Sequence, residues 1–478
     1  MSASSGGVAG DAATDLVVVG AGPGGYAAAF LAADLGLAVT LVDPAPNPGG
    51  VCLYRGCIPS KALLHVAKLI GDSREASAWG IDFDAPRVDL DRLRSWKDGV
   101  VEKLTGGLGQ LRRKREIDYL QGRARFTDAH GVDVETVTGE KRPLRFEHAI
   151  VATGSVPAAL PGFPDTPRVM DSTAALELQT IPERLLVVGG GYIGLELGSV
   201  YAALGSRVTV VEMTDSLLPG VDRDLVRPLT ARLERSFEAI LTGTRVAAAS
   251  ESVSALEVEL EGDPAGSGAR QYDGVLVAVG RRPSTNGLGL EKTRVGTDAV
   301  GFIEVDEQRR TAEPSIFAIG DVVGQPMLAH KASHEGRTAV ETAFGRKVAF
   351  EPAAIPAVVF TDPEIAWCGL SEDEAAASGR SVAVSRFPWA ASGRARTIGR
   401  TDGLTKLVID PESERLLGVG LVGPGAGELI AEGVLALEMA ALASDLKLTI
   451  HPHPTLSETL MEAAETFFGQ ATHVYRRA

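Results

Sequence analysis

Cys52 and Cys57 stand with four residues between them in the stretch Gly49-Gly50-Val51-Cys52-Leu53-Tyr54-Arg55-Gly56-Cys57-Ile58-Pro59-Ser60-Lys61. Glycines flank the pair, and a helical-looking run from Ala62 to Ile70 follows. Thiols this close can swing together into a small disulfide ring. A thiol at a helix start meets unpaired N–H groups and the positive end of the helix dipole, which lower its pKa and favour thiolate. Lys61 adds a further positive charge. A dithiol that opens and closes stores two electrons. A structural disulfide would close too short a loop to stabilise much. A zinc half-site needs a second Cys or His pair at ligand spacing, and the third cysteine, Cys368, stands alone. Two inert thiols remain an alternative.

Redox exchange also needs a base, because the attacking sulfur must be a thiolate, and a histidine with a pKa near neutrality is the usual agent. Near the end lies His451-Pro452-His453-Pro454-Thr455-Leu456-Ser457-Glu458. In an extended segment His451 and His453 point to opposite sides, so at most one faces a given site. Thr455 and Glu458 also have the spacing of a capping box, in which Glu458 reaches back to the cap. Capping and catalysis stand open side by side for Glu458.

These groups need elements to position them. Asp15 to Gly20 reads as a strand, followed by Gly20-Ala21-Gly22-Pro23-Gly24-Gly25, a helix to about Leu35, and a second strand, Ala38 to Val42, ending at Asp43. This is a βαβ unit opening on G-x-G-x-x-G. Gly20 permits the tight turn, Gly22 lets a pyrophosphate approach, Gly25 lets helix and strand pack closely, and Asp43 is placed to accept from ribose hydroxyls. The pattern returns as strand Arg184 to Val188, Gly189-Gly190-Gly191-Tyr192-Ile193-Gly194, a helix to about Leu204, and strand Arg207 to Val211 ending at Glu212. First glycine and terminal acid have the same spacing in both. Two matched units imply two nucleotides, one taking electrons from the other. Glu212 would bond a ribose 2′-hydroxyl and repel a 2′-phosphate, which reads as NAD rather than NADP; a solvated strand-end acid is the alternative. Ile316 to Gly320 is a further buried strand ending at Asp321, a candidate third contact to the first nucleotide.

Residues 62–114 read as helical, with Trp79, Leu90, Leu93 and Trp96 as core candidates. Tyr119 to Arg125 and Arg145 to Ala152 read as strands, and Val275 to Gly280 echoes the second of these. From about Glu351, short strands (Ala357 to Phe360, Lys406 to Ile409) and helices (Ser371 to Ala377, Gly427 to Met439) suggest a separate α+β domain. A chain of 478 residues predicts about three domains, at roughly 150 residues each. A net charge of −15 argues against nucleic acid or an acidic membrane surface as partner. Three cysteines do not make a secreted disulfide scaffold. No apolar run reaches the roughly 18 residues that span a bilayer. Residues 1–13 read as disordered and contain no Lys or Arg, so no leader is expected and a cytoplasmic location follows.

Together, Gly-Gly-Val-Cys-Leu-x-x-Gly-Cys-Ile-Pro-Ser-Lys, Ala-Thr-Gly, Gly-Gly-Gly-Tyr-Ile-Gly-Leu-Glu, Phe-Ala-Ile-Gly-Asp, Met-Leu-Ala-His-Lys-Ala and His-x-His-Pro-Thr carry a resemblance. From about Asp15 to its end the chain resembles the pyridine nucleotide–disulfide oxidoreductases, in the branch that acts on dihydrolipoamide. The resemblance implies an α/β fold with two Rossmann-like dinucleotide-binding domains and a C-terminal α+β dimerisation domain. The implied division is a tail over 1–13, an FAD-binding part with the redox disulfide over 14–153, an NAD-binding domain over 154–281, a second FAD-binding or central part over 282–350, and an interface domain over 351–478.

By the same resemblance, FAD would be held by Gly20, Gly22, Gly25, Asp43, Gly50, Lys61, Ala124, Thr153, Gly154, Asp321, Met327, Leu328, Ala329 and His330. NAD would be held by Gly189, Gly191, Tyr192, Ile193, Gly194, Glu212, Val246, Ala278, Gly280 and Arg281. Cys52 would bond substrate sulfur, Cys57 would lie against the flavin, and Lys61 would pair with Glu196. Tyr192 looks like a movable lid over the nicotinamide pocket. His453 would be the base and Glu458 its orienting partner, with the base supplied by the other subunit of an obligate homodimer. The implied reaction oxidises protein-bound dihydrolipoamide through the disulfide and FAD and reduces NAD. The implied partner is a lipoylated acyltransferase or the glycine cleavage carrier protein, with no metal. Another flavoprotein disulfide reductase and a non-catalytic assembly subunit are the competing readings. Four positions depart from the family: Tyr54-Arg55 replaces the commoner Asn-Val, Pro452 the commoner alanine, and Asp43 the commoner Glu.

Overall fold

The computed structural model describes residues 12–262 and 268–475, so the expected N-terminal tail lies outside the described residues as far as residue 11. The chain divides into two compact units: Met1–Pro59, Asp91–Ala158 and Arg281–Glu351 form the first, and Ser60–Leu90, Ala159–Gly280 and Pro352–Ala478 the second.

The first unit opens with strand β1 (Ala12–Val19), helix α1 (Pro23–Asp34) and strand β2 (Val39–Asp43). Helix α2 (Gly50–Arg55) carries Cys52, and helix α3 (Cys57–Glu75) begins at the second cysteine. Helix α4 (Leu90–Lys114) leads into strands β3 (Asp118–Asp128), β4 (Gly131–Thr136) and β5 (Lys141–Val151), an antiparallel meander. β1 pairs in parallel with β2 and with β5, in register Val17↔Thr40 and Val17↔Ala149. That central position explains why Leu16 to Val19 reads as an unbroken apolar run: a parallel strand inside a sheet is buried on both faces. Ala28, Ala29 and Ala32 of α1 join Leu16, Val18 and Ile150 in one core, each small enough to bring the helix close to the sheet. Strand Ile316–Ala318 adds in parallel beside β5, with Phe317 opposite Ile150.

The helical run expected over residues 62–114 is broken. A short 3-10 turn, Ala76–Trp79, ends at Gly80, whose φ of 80° is left-handed, and no helix resumes before Leu90. Pro86 and the aspartates around it make the interruption chemically reasonable. Of the four core candidates, Leu93 is buried, but Trp79 and Trp96 are 57% and 45% exposed. Helical spacing marks a face; it does not say whether the chain itself covers that face.

The second unit contains a five-stranded parallel sheet in the order Ala239–Leu241, Arg207–Val211, Arg184–Val188, Gly274–Val277, Val169–Met170. It also contains a five-stranded antiparallel sheet, in the order Ala357–Val359, Glu364–Gly369, Leu416–Gly423, Leu404–Ile409, Ala383–Pro388. Helices Ala426–Glu438 and Glu458–Phe467 share that sheet's core. The second of these is fixed by fully buried Leu460, Ala463 and Ala464 and by a polar thread. Trp389 Nε1 donates to Thr405 Oγ1 at 2.9 Å, and Thr405 Oγ1 donates to Thr459 Oγ1 at 2.7 Å. Replacing a fully buried Trp by Ala typically costs about 3–5 kcal/mol; Trp389 packs against Gly403 and Gly423 of the sheet region and reaches the helix that starts at Glu458 only through Thr405.

Candidate active site

The two glycine turns are built alike. Gly20 has φ 101° and Gly189 φ 110°. A Cβ on Gly20 would lie 2.3 Å from the Ala152 carbonyl oxygen, and one on Gly189 would lie 2.4 Å from that of Ala278. Gly25 and Gly194 sit under their own turns, where a Cβ would lie 1.8 and 2.1 Å from the carbonyls of Gly20 and Gly189. Gly22 and Gly191 instead face open space: the nearest atom to a Cβ at Gly22 is 4.0 Å away, and none lies within 4 Å at Gly191. Each is the N-cap of its helix and offers no side-chain cap. Unpaired N–H groups beside an open cradle suit a pyrophosphate.

The acids expected to meet ribose first meet backbone. Asp43 Oδ2 accepts the Ala21 N–H at 2.7 Å and Oδ1 the Ala45 N–H at 2.9 Å. Glu212 repeats this, with Oε2 accepting from Gly190 N–H at 2.7 Å and Oε1 from Thr214 N–H at 2.8 Å. A carboxylate oxygen has a second lone pair, so ribose acceptance is compatible with these bonds. Burial pushes the Asp43 carboxyl up, opposed by the Ala21 and Ala45 N–H groups and by Arg55 and Arg123.

Asp321 lies in a 3-10 turn after Ile316–Ala318 and accepts a hydrogen bond from Ser155 Oγ. Arg281, expected at NAD, donates through Nε to Ser155 Oγ at 2.7 Å and through Nη2 to the Ser155 carbonyl at 2.8 Å. The structure therefore sets it on Ser155, the serine that donates to Asp321. Thr153 Oγ1 donates to the Ser284 carbonyl at 2.7 Å, and Gly154 has φ 72°. Leu328 is the N-cap of helix Ala329–Ala343, which places Ala329 and His330 in its first turn just after Met327. Ala124 is buried in β3. Val246 packs at the edge of the second-unit core, Tyr192 is exposed where its helix begins and is followed by Ile193, and Ala278 and Gly280 follow strand Gly274–Val277.

Cys57 is exposed at the first position of α3, as a thiol near unpaired N–H groups requires, and Cys52 is half-buried on α2. The dithiol stretch touches the first cradle: Gly50 has φ 57°, and a Cβ there would lie 2.4 Å from Gly22 Cα. Burial raises the Tyr26 phenol above its ordinary range, reinforced by the nearby Cys52 and Cys57. Cys368 is buried in the C-terminal core, and that burial pushes its thiol up to about 12.

Lys61 Nζ lies 2.7 Å from Glu196 Oε2, as expected. Glu196 is buried and its other oxygen accepts the Phe360 N–H at 3.0 Å, while Lys61 Nζ stands 4.5 Å from the centroid of the Phe360 ring. Phe360 is the residue that the sequence reading missed. Nothing local marks it beyond its place at the end of a strand, because its role arises from partners 164 and about 300 positions earlier.

His453 and Glu458 also meet. His453 Nδ1 is 2.8 Å from Glu458 Oε1, and Glu458 Oε2 accepts the Thr455 N–H at 2.7 Å. Burial tends to raise the Glu458 carboxyl, but the Thr455 N–H and His453 together bring it below its usual range. His451 points the other way, with Nε2 2.7 Å from Glu432 Oε1 and a buried side chain, whereas the His453 side chain is 73% exposed.

Two dinucleotide cradles, a dithiol against one of them and a carboxylate-oriented imidazole define an oxidoreductase that exchanges electrons between thiols and nucleotides. The sequence model of the pyridine nucleotide-disulphide oxidoreductases matches residues 14–336, and that of their dimerisation domain matches residues 355–464. The chain belongs to this family. It is 48% identical over 458 residues to the dihydrolipoyl dehydrogenase of Vibrio cholerae, covering 96% of each chain. It is 49% identical to that of Thermus scotoductus, over 97% of this chain and 99% of the other. Among solved structures, LpdA of Mycobacterium tuberculosis superposes with a TM-score of 0.88 at 26% identity, over 95% of this chain and 99% of that one. The HOCl-induced flavoprotein disulfide reductase RclA of Escherichia coli, as its Cu(II) complex, gives 0.85 at 28%, with the same coverages. The cofactors of this family are FAD and NAD, and the open, uncapped cradles fit both. The dimerisation domain makes the chain a homodimer. Among the described residues, no helix is long and apolar enough to cross a membrane.

Proposed function

We propose that the chain oxidises protein-bound dihydrolipoamide to lipoamide and reduces NAD, the activity for which its relatives are named. The observation that carries this reading is the contact of His453 with Glu458 in a chain that also keeps Cys52, Cys57 and the Lys61–Glu196 pair. With Nδ1–H donating to Glu458, Nε2 is left unprotonated and can take a thiol proton. One substrate thiolate attacks Cys52 of the Cys52–Cys57 disulfide, forming a mixed disulfide and releasing Cys57 as thiolate. The second substrate thiol gives its proton to His453 and attacks its mixed-disulfide partner sulfur. Cys52 leaves, and the lipoamide ring closes. The electron pair then resides on the two cysteines. The first cradle, Gly20, Gly22 and Gly25, would hold FAD, which would supply a two-electron acceptor between the dithiol and NAD. Lys61, held by Glu196 and by the Phe360 ring, supplies a fixed positive charge about one turn along α3, the helix that Cys57 opens.

In this reading each site combines thiols from one subunit with His453 of the partner subunit, the lipoylated partner is an acyltransferase or a glycine cleavage carrier protein, and the location is cytoplasmic. One observation favours a second reading, reduction of a different disulfide: the likeness to a solved flavoprotein disulfide reductase. The test is the purified protein's spectrum and its turnover with dihydrolipoamide and NAD against NADH and glutathione disulfide. A yellow protein active on the first pair supports the proposal. Activity on the second pair alone supports the rival, and a colourless, inactive protein supports an assembly role.

A further inference from the structure

We infer that Tyr54, inside the Cys52–Cys57 loop, is a positioning residue that ties the dithiol to the phosphate-facing loop of the first cradle. Asn47 N–H donates to Tyr54 Oη at 3.2 Å, and Tyr54 Oη donates to the Asn47 carbonyl at 3.1 Å. One side chain thereby closes the backbone from Asn47 onward onto α2. That helix has six residues, and a helix so short does not hold itself together in water. Its geometry must come from fixings outside it.

The Asn47–Gly50 turn lies in its own right on the glycine loop. Gly49 N–H donates to the Ala21 carbonyl at 2.8 Å, and Gly50 packs so closely on Gly22 that a Cβ would lie 2.4 Å from Gly22 Cα. The Tyr54 ring lines the same turn, 3.2 Å from where a Cβ on Gly49 would stand. Contacts therefore run unbroken from the dithiol helix through Tyr54 and Asn47 to Ala21 and Gly22. If filling the cradle steadies this path, steadying the path must favour filling the cradle, because coupling between two sites is reciprocal.

This inference rests on FAD occupying the first cradle, which the spectrum of the parent holoenzyme reports before any comparison. Parent and Tyr54→Phe holoenzymes are compared in melting, in the rate of FAD release on dilution, and in the iodoacetamide reactivity of Cys52 after reduction, with FAD kept saturating. Loss of the two bonds should speed FAD release roughly threefold to tenfold and raise Cys52 alkylation by a similar factor, as expected for one or two net hydrogen bonds. Release and alkylation that both stay within about twofold of the parent would overturn the inference, as would a lowered melting temperature with neither rate changed. A parent protein that binds no flavin would overturn the cofactor reading and this inference together.

Discussion

Glu458 holds His453 and its own helix start with the same carboxylate, Oε1 at 2.8 Å from His453 Nδ1 and Oε2 at 2.7 Å from the Thr455 nitrogen. Of the expected capping box only the return bond to Thr455 forms, because the helix starts at Glu458 itself and its N-cap, Ser457, makes no side-chain cap; that bond and the orienting of His453 are two ends of one group. Glu458→Gln can keep the Thr455 bond through its carbonyl, but its NH2 then faces Nδ1. That favours the tautomer with the proton on Nε2, which cannot act as base. We expect a stability loss of at most about 1 kcal/mol and a fall in lipoamide turnover of about an order of magnitude or more. Melting and kcat on the same preparation check both. Because the folded-state pKa of Glu458 is lowered, its contribution to stability is present above the ordinary glutamate range and is lost as pH falls through the folded value. The melting difference between parent and variant should therefore shrink in acid.

Coenzyme choice follows from Glu212. A 2′-phosphate would stand against a carboxylate that two backbone N–H groups already hold in place. We expect strong preference for NAD over NADP in kcat/KM, narrowed by Glu212→Gln. Glu212→Ala should in addition weaken NAD itself, since it releases the Gly190 and Thr214 N–H groups. Equal kcat/KM values for the parent with both coenzymes would refute the assignment.

Cys52→Ser and Cys57→Ser should each retain FAD and lose lipoamide turnover. Cys57 is exposed and Cys52 half-buried within the chain; with FAD lying over Cys57, iodoacetamide should label Cys52 first in the reduced holoenzyme. Cys368, its thiol pushed up to about 12 by burial, should stay unlabelled in the native protein. Peptide mapping by mass spectrometry distinguishes the three, and native labelling at Cys368 would contradict its place in the core.

The dimer gives a test by complementation. Cys52 belongs to the first unit and His453 to the second. A heterodimer of one Cys52→Ser chain and one His453→Ala chain, isolated by two tags, should show about half of normal activity if each site draws on both chains, by counting sites under two-fold symmetry. Activity near zero, with FAD retained, would mean that thiols and base come from one chain.

Much of this was legible before any coordinates. The strands Arg184–Val188 and Arg207–Val211 match the expected bounds, because glycine turns and terminal acids punctuate them. A helix follows the dithiol as expected, but it begins at Cys57 and not at Ala62. What stayed hidden depends on residues far apart in sequence. Ser155 and Arg281 meet across 126 positions and Lys61 and Glu196 across 135, and only the resemblance named the second pair. Phe360 had no local signature at all. The exposure of Trp79 and Trp96 was illegible for another reason, since the number of apolar residues on a helix does not fix which of them the rest of the chain can reach.

The bonds from Ala21 to Asp43 and from Gly190 to Glu212 each span 22 residues and each measure 2.7 Å. Each ties a glycine loop to the far strand of its own βαβ unit through the chain's own groups alone. The entropy of ordering these loops is therefore met when the chain folds rather than when a nucleotide docks. Association at either cradle should be quick and should leave the backbone nearly where it was, so that what differs between the two nucleotides is recognition, and not the labour of assembling a place to bind.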